Sequence, residues 1–197
     1  MPKLVRILMC AITALATLGC ADGIEVQNLY FIGDSLIARW NVQESFPANV
    51  VHNLGVSGAG ISYIEQSAHR LEGNTAVVLI GTNDLTALAS DDIEQYCDRY
   101  FEAVAGLGAA KTFVISVPPR NFDGDRSDQN DIIRQFNASV RNRIAEFPSM
   151  HYVDVYDALI YNGTINPQYS LDGLHLNIYG YEVVADLLAK TIHQNNL

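Results

Sequence analysis

Leu29-Tyr-Phe-Ile-Gly-Asp-Ser35-Leu-Ile37 is the stretch that decides the fold. Its apolar and aromatic residues run without alternation into a glycine, as in a strand buried on both faces. An Asp-Ser pair follows, where a helix would begin. The same pattern recurs along the chain: apolar runs at residues 29–32, 50–54, 76–80, 112–117 and 151–155 read as strands. The fourth is stopped by Pro118-Pro119. Helical spacing is read from residue 35 to about 44, and over 61–71, 91–107, 128–147 and 177–193. In the second of these, Ile61, Ile64, Ala68 and Leu71 share a face; in the third, Asp91 and Asp92 suit the first turn. Five strands alternating with helices predict an α/β fold, a parallel sheet covered on both faces. Right-handed crossovers make it a three-layer α/β/α sandwich with a flavodoxin-like five-stranded sheet. Reactive groups in such sheets gather beyond the carboxyl ends of the strands. Ser35, Gly58 and Asn83 follow the first, second and third strands there.

The chain has 197 residues, one ordinary domain's worth. With 49% hydrophobic and 17% charged residues it is globular and not disordered. A formal net charge of −10, without a Lys/Arg cluster, argues against nucleic acid as a partner and against attraction to anionic lipid. Residues 1–20 stand apart from the domain at 21–197. Lys3 and Arg6 precede an apolar run at 7–18, which suits a signal-peptide core and is too short to span a bilayer. Two cleavage readings compete. Thr17-Leu-Gly-Cys20 loosely resembles a lipobox, with Cys20 as the acylation point, although the commoner form has Leu three positions before the Cys. Gly19-Cys-Ala21 fits the small-x-small rule of ordinary signal peptidase. Either reading exports the domain, to the periplasm or cell envelope as a lipoprotein or as a secreted protein; the membrane enters only through a lipid at Cys20. Cys10 and Cys20 fall in the leader or at its end, so Cys97 has no partner for an intrachain disulfide and reads as a buried small hydrophobe.

Ser35 can be a nucleophile if a base takes its proton, and Asp172-Gly-Leu-His175 offers a base and an orienter on one turn. Gly58 lets backbone approach a substrate closely, and Asn83 can donate through its amide. Each has a plainer reading. Ser35 can simply cap a helix, Gly58 and Asn83 can be turn residues, and Asp172-Gly173 can be a tight turn with His175 at the surface. Asp34 and Asp84 read as residues that cap or hold loops.

Gly33-Asp-Ser-Leu36, Asn53-Leu-Gly-Val-Ser-Gly58, Gly81-Thr-Asn83-Asp84 and Asp172-Gly-Leu-His175 together resemble the four blocks of the GDSL, or SGNH, hydrolase family. They occur in that family's order and cover nearly all of the chain beyond residue 20. The resemblance implies a serine hydrolase that cleaves carboxylic esters through an acyl-enzyme. It implies Ser35 as nucleophile, His175 as base and Asp172 as orienter. The implied oxyanion hole is the Ser35 N–H, helped by a helix dipole, the Gly58 N–H and the Asn83 amide. The family includes esterases, lysophospholipases, thioesterases and carbohydrate deacetylases. A small domain without long insertions points to an open site for short acyl groups, with acetylated carbohydrate the preferred substrate. A carbohydrate O-acyltransferase would use the same acyl-enzyme, whereas a non-catalytic surface-binding module would need no triad.

Walls for the substrate are expected from Arg39, Trp40, the Pro118–Phe122 loop and Tyr169 to Leu174, with Trp40, Arg120 and Leu174 as the substrate contacts; Trp40 reads either as a stacking platform for a sugar or as core. No cofactor and no metal site is expected: Asp123-Gly-Asp-Arg-Ser-Asp128 lacks the glycine and the twelfth-position acid of a calcium loop, and no Cys/His set suits zinc. His52, His69, His151 and His193 have no partner pattern. Asn137-Ala-Ser and Asn162-Gly-Thr register only as glycosylation acceptor patterns. In the lipobox reading, Cys20→Ala converts a membrane-attached protein into a soluble exported one. Fractionation of cells carrying each form checks this; a wild-type chain that is soluble and begins at Asp22 was cut by ordinary signal peptidase.

Overall fold

Phe31 and Ile32 are both fully buried, and they belong to two different cores. The same split separates Val77 from Val78 and Phe113 from Val114, because successive strand residues face opposite sides of the sheet. A sheet buried this way must be covered on both faces. A computed structural model of the chain describes residues 28–195; the leader, Cys10 and Cys20 lie outside the described residues. The elements run β1 (Asn28–Gly33), α1 (Ser35–Ala38), α2 (Val42–Ser45), β2 (Val50–Gly55), α3 (Ile61–Glu65), β3 (Thr75–Leu79), α4 (Ile93–Gly106), β4 (Lys111–Ile115), α5 (Gln129–Arg143), β5 (Met150–Val153), α6 (Tyr156–Leu159), β6 (Ile160–Tyr161), β7 (Thr164–Ile165) and α7 (Ile178–Asn195).

The five long strands form one parallel sheet in the order β2-β1-β3-β4-β5, the flavodoxin-like order expected from the sequence. One core packs α3, α4 and α5 against it through residues such as Ile64, Phe101 and Phe136. The other packs α1, α2 and α7 through Leu36, Trp40 and Val184. The strand order reverses between β1 and β3, and such a switch point opens a crevice beyond the strand ends. The loops after β1 and β3 carry Ser35 and Asn83 there.

Several elements depart from the sequence reading, each because of a partner distant in the chain. The helix expected over 35–44 is cut into α1 and α2. The Asn53 amide donates to the carbonyls of Ile37 and Trp40, at 2.8 and 3.1 Å, and the same carbonyls accept the Trp40 and Val42 N–H groups in tight turns in place of helical partners four residues on. The helix expected over 61–71 stops after Glu65. His69 turns to φ 59°, and the N–H groups of His69 and Leu71 donate to Gly106 and Leu107 beyond α4. Ala68 is therefore exposed, while Ile61, Ile64 and Leu71 stay buried. Asp91 and Asp92 sit in a 3₁₀ turn ahead of α4 and not in its first turn. The hairpin of β6 and β7 was not read from the sequence, although Asn162-Gly163, both at positive φ, is a two-residue hairpin turn of the kind that pairs short strands.

The ends of β1 and β2 meet α1 with no space to spare. A Cβ on Gly33 would stand far inside contact distance of the Leu79 carbonyl oxygen, and one on Gly55 far inside that of the Ala38 backbone nitrogen. Gly55→Ala therefore forces β2 away from α1. We expect a loss of at least about 2 kcal/mol, read as a lower urea midpoint at unchanged m-value.

Candidate active site

Asp34 is the N-cap of α1; its Oδ1 accepts the Leu36 N–H at 2.8 Å, which leaves Ser35 as the first helical residue. α1 is a single turn, so the expected macrodipole is small, and what the turn offers is the N–H of Ser35, unspent among the described residues. Tyr181 of α7 secures this turn, its hydroxyl donating to the Leu36 carbonyl at 2.8 Å.

The turn before α7 carries the proposed base. His175 is mostly buried, and its Nε2 lies 3.0 Å from the Ser35 Oγ. Its Nδ1 lies 2.7 Å from Asp172 Oδ2. A carboxylate beside Nδ1 holds the proton there and leaves the Nε2 lone pair for the serine. Asp172 Oδ1 accepts the N–H groups of His175 and Leu174 at 2.7 and 3.0 Å. Burial works against the Asp172 charge, but the His175 ring and the two N–H groups outweigh it and hold the carboxyl down to about 2. Ser170 closes the turn, its hydroxyl donating to the His175 carbonyl and accepting the Gly173 N–H. Thus a hydrogen-bonded series Ser35–His175–Asp172 spans a sequence separation of 140 residues.

Two further loops face each other beyond β2 and β3. Gly58 has φ +78° with open space where a Cβ would stand, so the backbone conformation, not crowding, favours glycine. The Gly58 N–H is not spent within the described residues. Asn83 donates one amide hydrogen to the Ala59 carbonyl at 2.8 Å, which fixes the amide plane and leaves the second hydrogen unspent among the described residues. Asp84 ties the same loops together: its Oδ2 accepts the Ile61 N–H at 2.9 Å and the Tyr96 hydroxyl at 2.8 Å. Asp34 and Asp84 are the holding residues their positions indicated.

The three expected substrate contacts are placed differently. Trp40 is core. Tyr181 stacks on it at 5.4 Å, Phe31 and Phe46 meet its edges, and its Nε1 donates to Ser45. At 3% exposed, it offers too little open surface to act as a stacking platform for a sugar. Arg120 is also buried, pairing with both oxygens of Asp125 and donating to the Thr82 carbonyl at 3.0 Å. It fastens the Asn83 loop to residues 118–125, whose Asn121 N–H reaches Gly173 at 2.7 Å. Arg120 is thus a brace between the two halves of the site, since a buried guanidinium with its donors engaged is not available to substrate. Leu174 is mostly covered and supplies its N–H to Asp172; the exposed apolar side chain of that turn is Leu171. The Asp123–Asp128 loop is spent on these ion pairs and on Arg126–Asp128. Among the described residues, no group of three or more His, Cys, Asp or Glu could hold a metal. Cys97 is buried, its thiol pushed up to about 12 by burial.

Sequence reading missed the depth at which Asp34 lies. It is fully buried with Oδ2 unpartnered, and burial, aided by Asp84, pushes its carboxyl up to about 7 against the pull of the Leu36 N–H and Arg120. Only the polar residue beside a buried strand could have signalled it.

The model of the GDSL-like Lipase/Acylhydrolase family matches residues 31–183. An N-acylneuraminate cytidylyltransferase of Escherichia coli is 30% identical over 182 residues, covering 85% of this chain and 41% of that relative. The chain thus spans about two fifths of the length of this curated relative. A GDSL-like lipase from Bacteroides thetaiotaomicron shares the fold with TM-score 0.68 at 22% identity, over 85% of this chain and 88% of that one. An acetyl xylan esterase from Geobacillus stearothermophilus has TM-score 0.60 at 16% identity, over 84% and 94%. The catalytic domain of a Streptococcus pneumoniae peptidoglycan O-acetyltransferase has TM-score 0.62 at 18% identity, over 87% and 95%.

Asp34 and Asp172 pull the pH dependence of stability in opposite directions. Asp34, raised in the folded protein, favours folding at low pH, and that contribution is lost as pH rises from about 4 through about 7. Asp172, lowered, stabilises above about 4, and its contribution is lost as pH falls towards about 2. Asp34→Asn keeps an acceptor for Leu36 but cannot ionise. Its urea midpoint is expected to gain on the wild type between about pH 5 and about pH 8; a constant difference across that range refutes a buried titration.

Proposed function

Because the chain belongs to the GDSL-like lipase/acylhydrolase family, we propose that it is an exported serine hydrolase cleaving short-chain acyl esters of carbohydrates through an acyl-enzyme. The observation that carries the reading is the 3.0 Å approach of Ser35 Oγ to His175 Nε2, with Asp172 at 2.7 Å on the opposite ring nitrogen. Ser35 Oγ attacks the ester carbonyl as its proton passes to His175 Nε2. The carbonyl oxygen gains a negative charge, for which the N–H groups of Ser35 and Gly58 and the second Asn83 amide hydrogen are the donors. As the intermediate collapses, the bond to the alcohol oxygen breaks and His175 returns the proton to it. Water then enters, gives a proton to His175 and attacks the acyl-serine. Release of the acid restores Ser35 and neutral His175.

Asp172 acts throughout by keeping the proton on Nδ1 and by stabilising the imidazolium. The carbohydrate part rests on lesser support. Two proteins of the same fold carry names for acetyl xylan and for peptidoglycan O-acetyl transfer. The domain is small, which favours a small acyl group over a long chain. Export rests on the basic start and apolar run of residues 1–20.

Ser35→Ala is expected to lower hydrolysis of an aryl acetate by at least about 10³-fold with an unchanged circular dichroism spectrum. A loss far smaller than that removes Ser35 as nucleophile. Asn83→Ala is expected to reduce kcat by about 10²–10³ with little change in KM, since its hydrogen bond strengthens only as charge develops. A loss expressed mainly in KM makes Asn83 a binding residue instead.

A further inference from the structure

A groove of about 630 Å³ lies between the α1–α2 segment and the start of α7, and none of the steps above uses it. Its volume falls in the range of small-molecule sites. The buried rings of Trp40 and Tyr181 contribute to its lining. Arg39 stands on one wall, one helical turn beyond Ser35; Glu182 and Asp186 stand on the other. All three side chains are exposed and make no hydrogen bond or ion pair within the described residues.

Position says which part of an ester the groove would meet. Leu171 and Leu176 bracket the Asp172–His175 turn, and both line the groove. Neither Ser35 nor His175 lines it, so it adjoins the site through the turn that carries His175, whereas the Gly58 and Asn83 donors come from the loops after β2 and β3. A general acid must reach the leaving oxygen, so the alcohol departs on the side of His175. The groove is placed for the alcohol and not for the acyl group.

Its chemistry says which alcohol. Glu44, Glu182 and Asp186 set three carboxylates against the single guanidinium of Arg39. Such a field disfavours phosphate headgroups and uronate or sialate rings, because like charges repel. Carboxylates accept hydrogen bonds from hydroxyl groups strongly, and Arg39 adds donors for ring and hydroxyl oxygens. Leu171 and Ile178, 70% and 61% exposed, offer apolar surface for the C–H face of a ring. We propose that this groove is the subsite for the leaving alcohol and that it binds an uncharged sugar residue of an acylated glycan. This rests on the hydrolase reading above.

Ala185, half-buried on the groove wall, is the place to fill it. The full chain and its Ala185→Trp and Glu182→Gln/Asp186→Asn variants are titrated with unacylated xylo-oligosaccharide by calorimetry, and each is assayed on an aryl acetate and on the acetylated oligosaccharide. The wild type is expected to bind the sugar. Each variant is expected to lose at least about tenfold in affinity, and as much in kcat/KM on the sugar ester through KM, while aryl acetate turnover stays within about twofold. No sugar binding by the wild type, or equal losses on both esters, overturns the subsite and leaves the hydrolase reading standing if the aryl acetate is cleaved. Tighter binding of an oligouronate than of the neutral sugar overturns the charge argument. Sugar binding without cleavage of either ester fails the hydrolase reading and, with it, the assignment of the groove to a leaving alcohol.

Discussion

The carboxyl end of β1 has no room for a side chain, and the site is built around that restriction. Gly33 lies against the Leu79 carbonyl, and Gly55 lies under Ala38. These contacts bring three strand ends within one peptide of each other. The Gly33 carbonyl accepts the Val56 N–H at 2.9 Å, and the Asp34 N–H reaches Leu79. The chain must leave β1 upward, and Asp34 starts a helix at once by taking the Leu36 N–H. Ser35 is thereby held at the rim of the sheet with its own N–H unspent among the described residues.

Around this point the protein spends buried polar groups on loops. Asp84 holds the turn after Gly58, Asn83 holds Ala59, and Arg120 with Asp125 holds the loop after β3 to the loop after β4. A buried ion pair is weak evidence for stability, but removing one partner leaves a costly uncompensated charge. Such groups suit a role in fixing geometry. The cost appears in Asp34, whose second carboxyl oxygen is buried without a partner and whose acidity is reduced accordingly. His175 stands on a turn closed by Asp172 and Ser170, so its ring direction depends little on the surrounding loops.

Much of the architecture could be read from the chain because its signals are local. Apolar runs such as residues 76–80 sit between turn residues, and the parallel sheet covered on both faces follows from their alternation with helices. The Ser35, Gly58, Asn83 and Asp172–His175 blocks were legible because each follows a strand end or forms one turn. The helix breaks at Arg39 and at Gln66 were not legible. Asn53 and Gly106, which draw those carbonyls and N–H groups away, are distant in sequence.

The sequence by itself determined the order of strands and helices, the acidic character of the surface and the residue types at the strand ends. These depend on periodicity and on neighbours a few positions away. Only the tertiary structure decided what those side chains meet. It settled Trp40 as core and not a stacking platform, and it turned Arg120 from a substrate contact into a brace and Asn162-Gly163 into a hairpin turn. It also set Ser35 beside His175 and opened a groove between α2 and α7. The reason is that burial and hydrogen bonding depend on groups brought together from opposite ends of the chain, and no local pattern records which of them will meet.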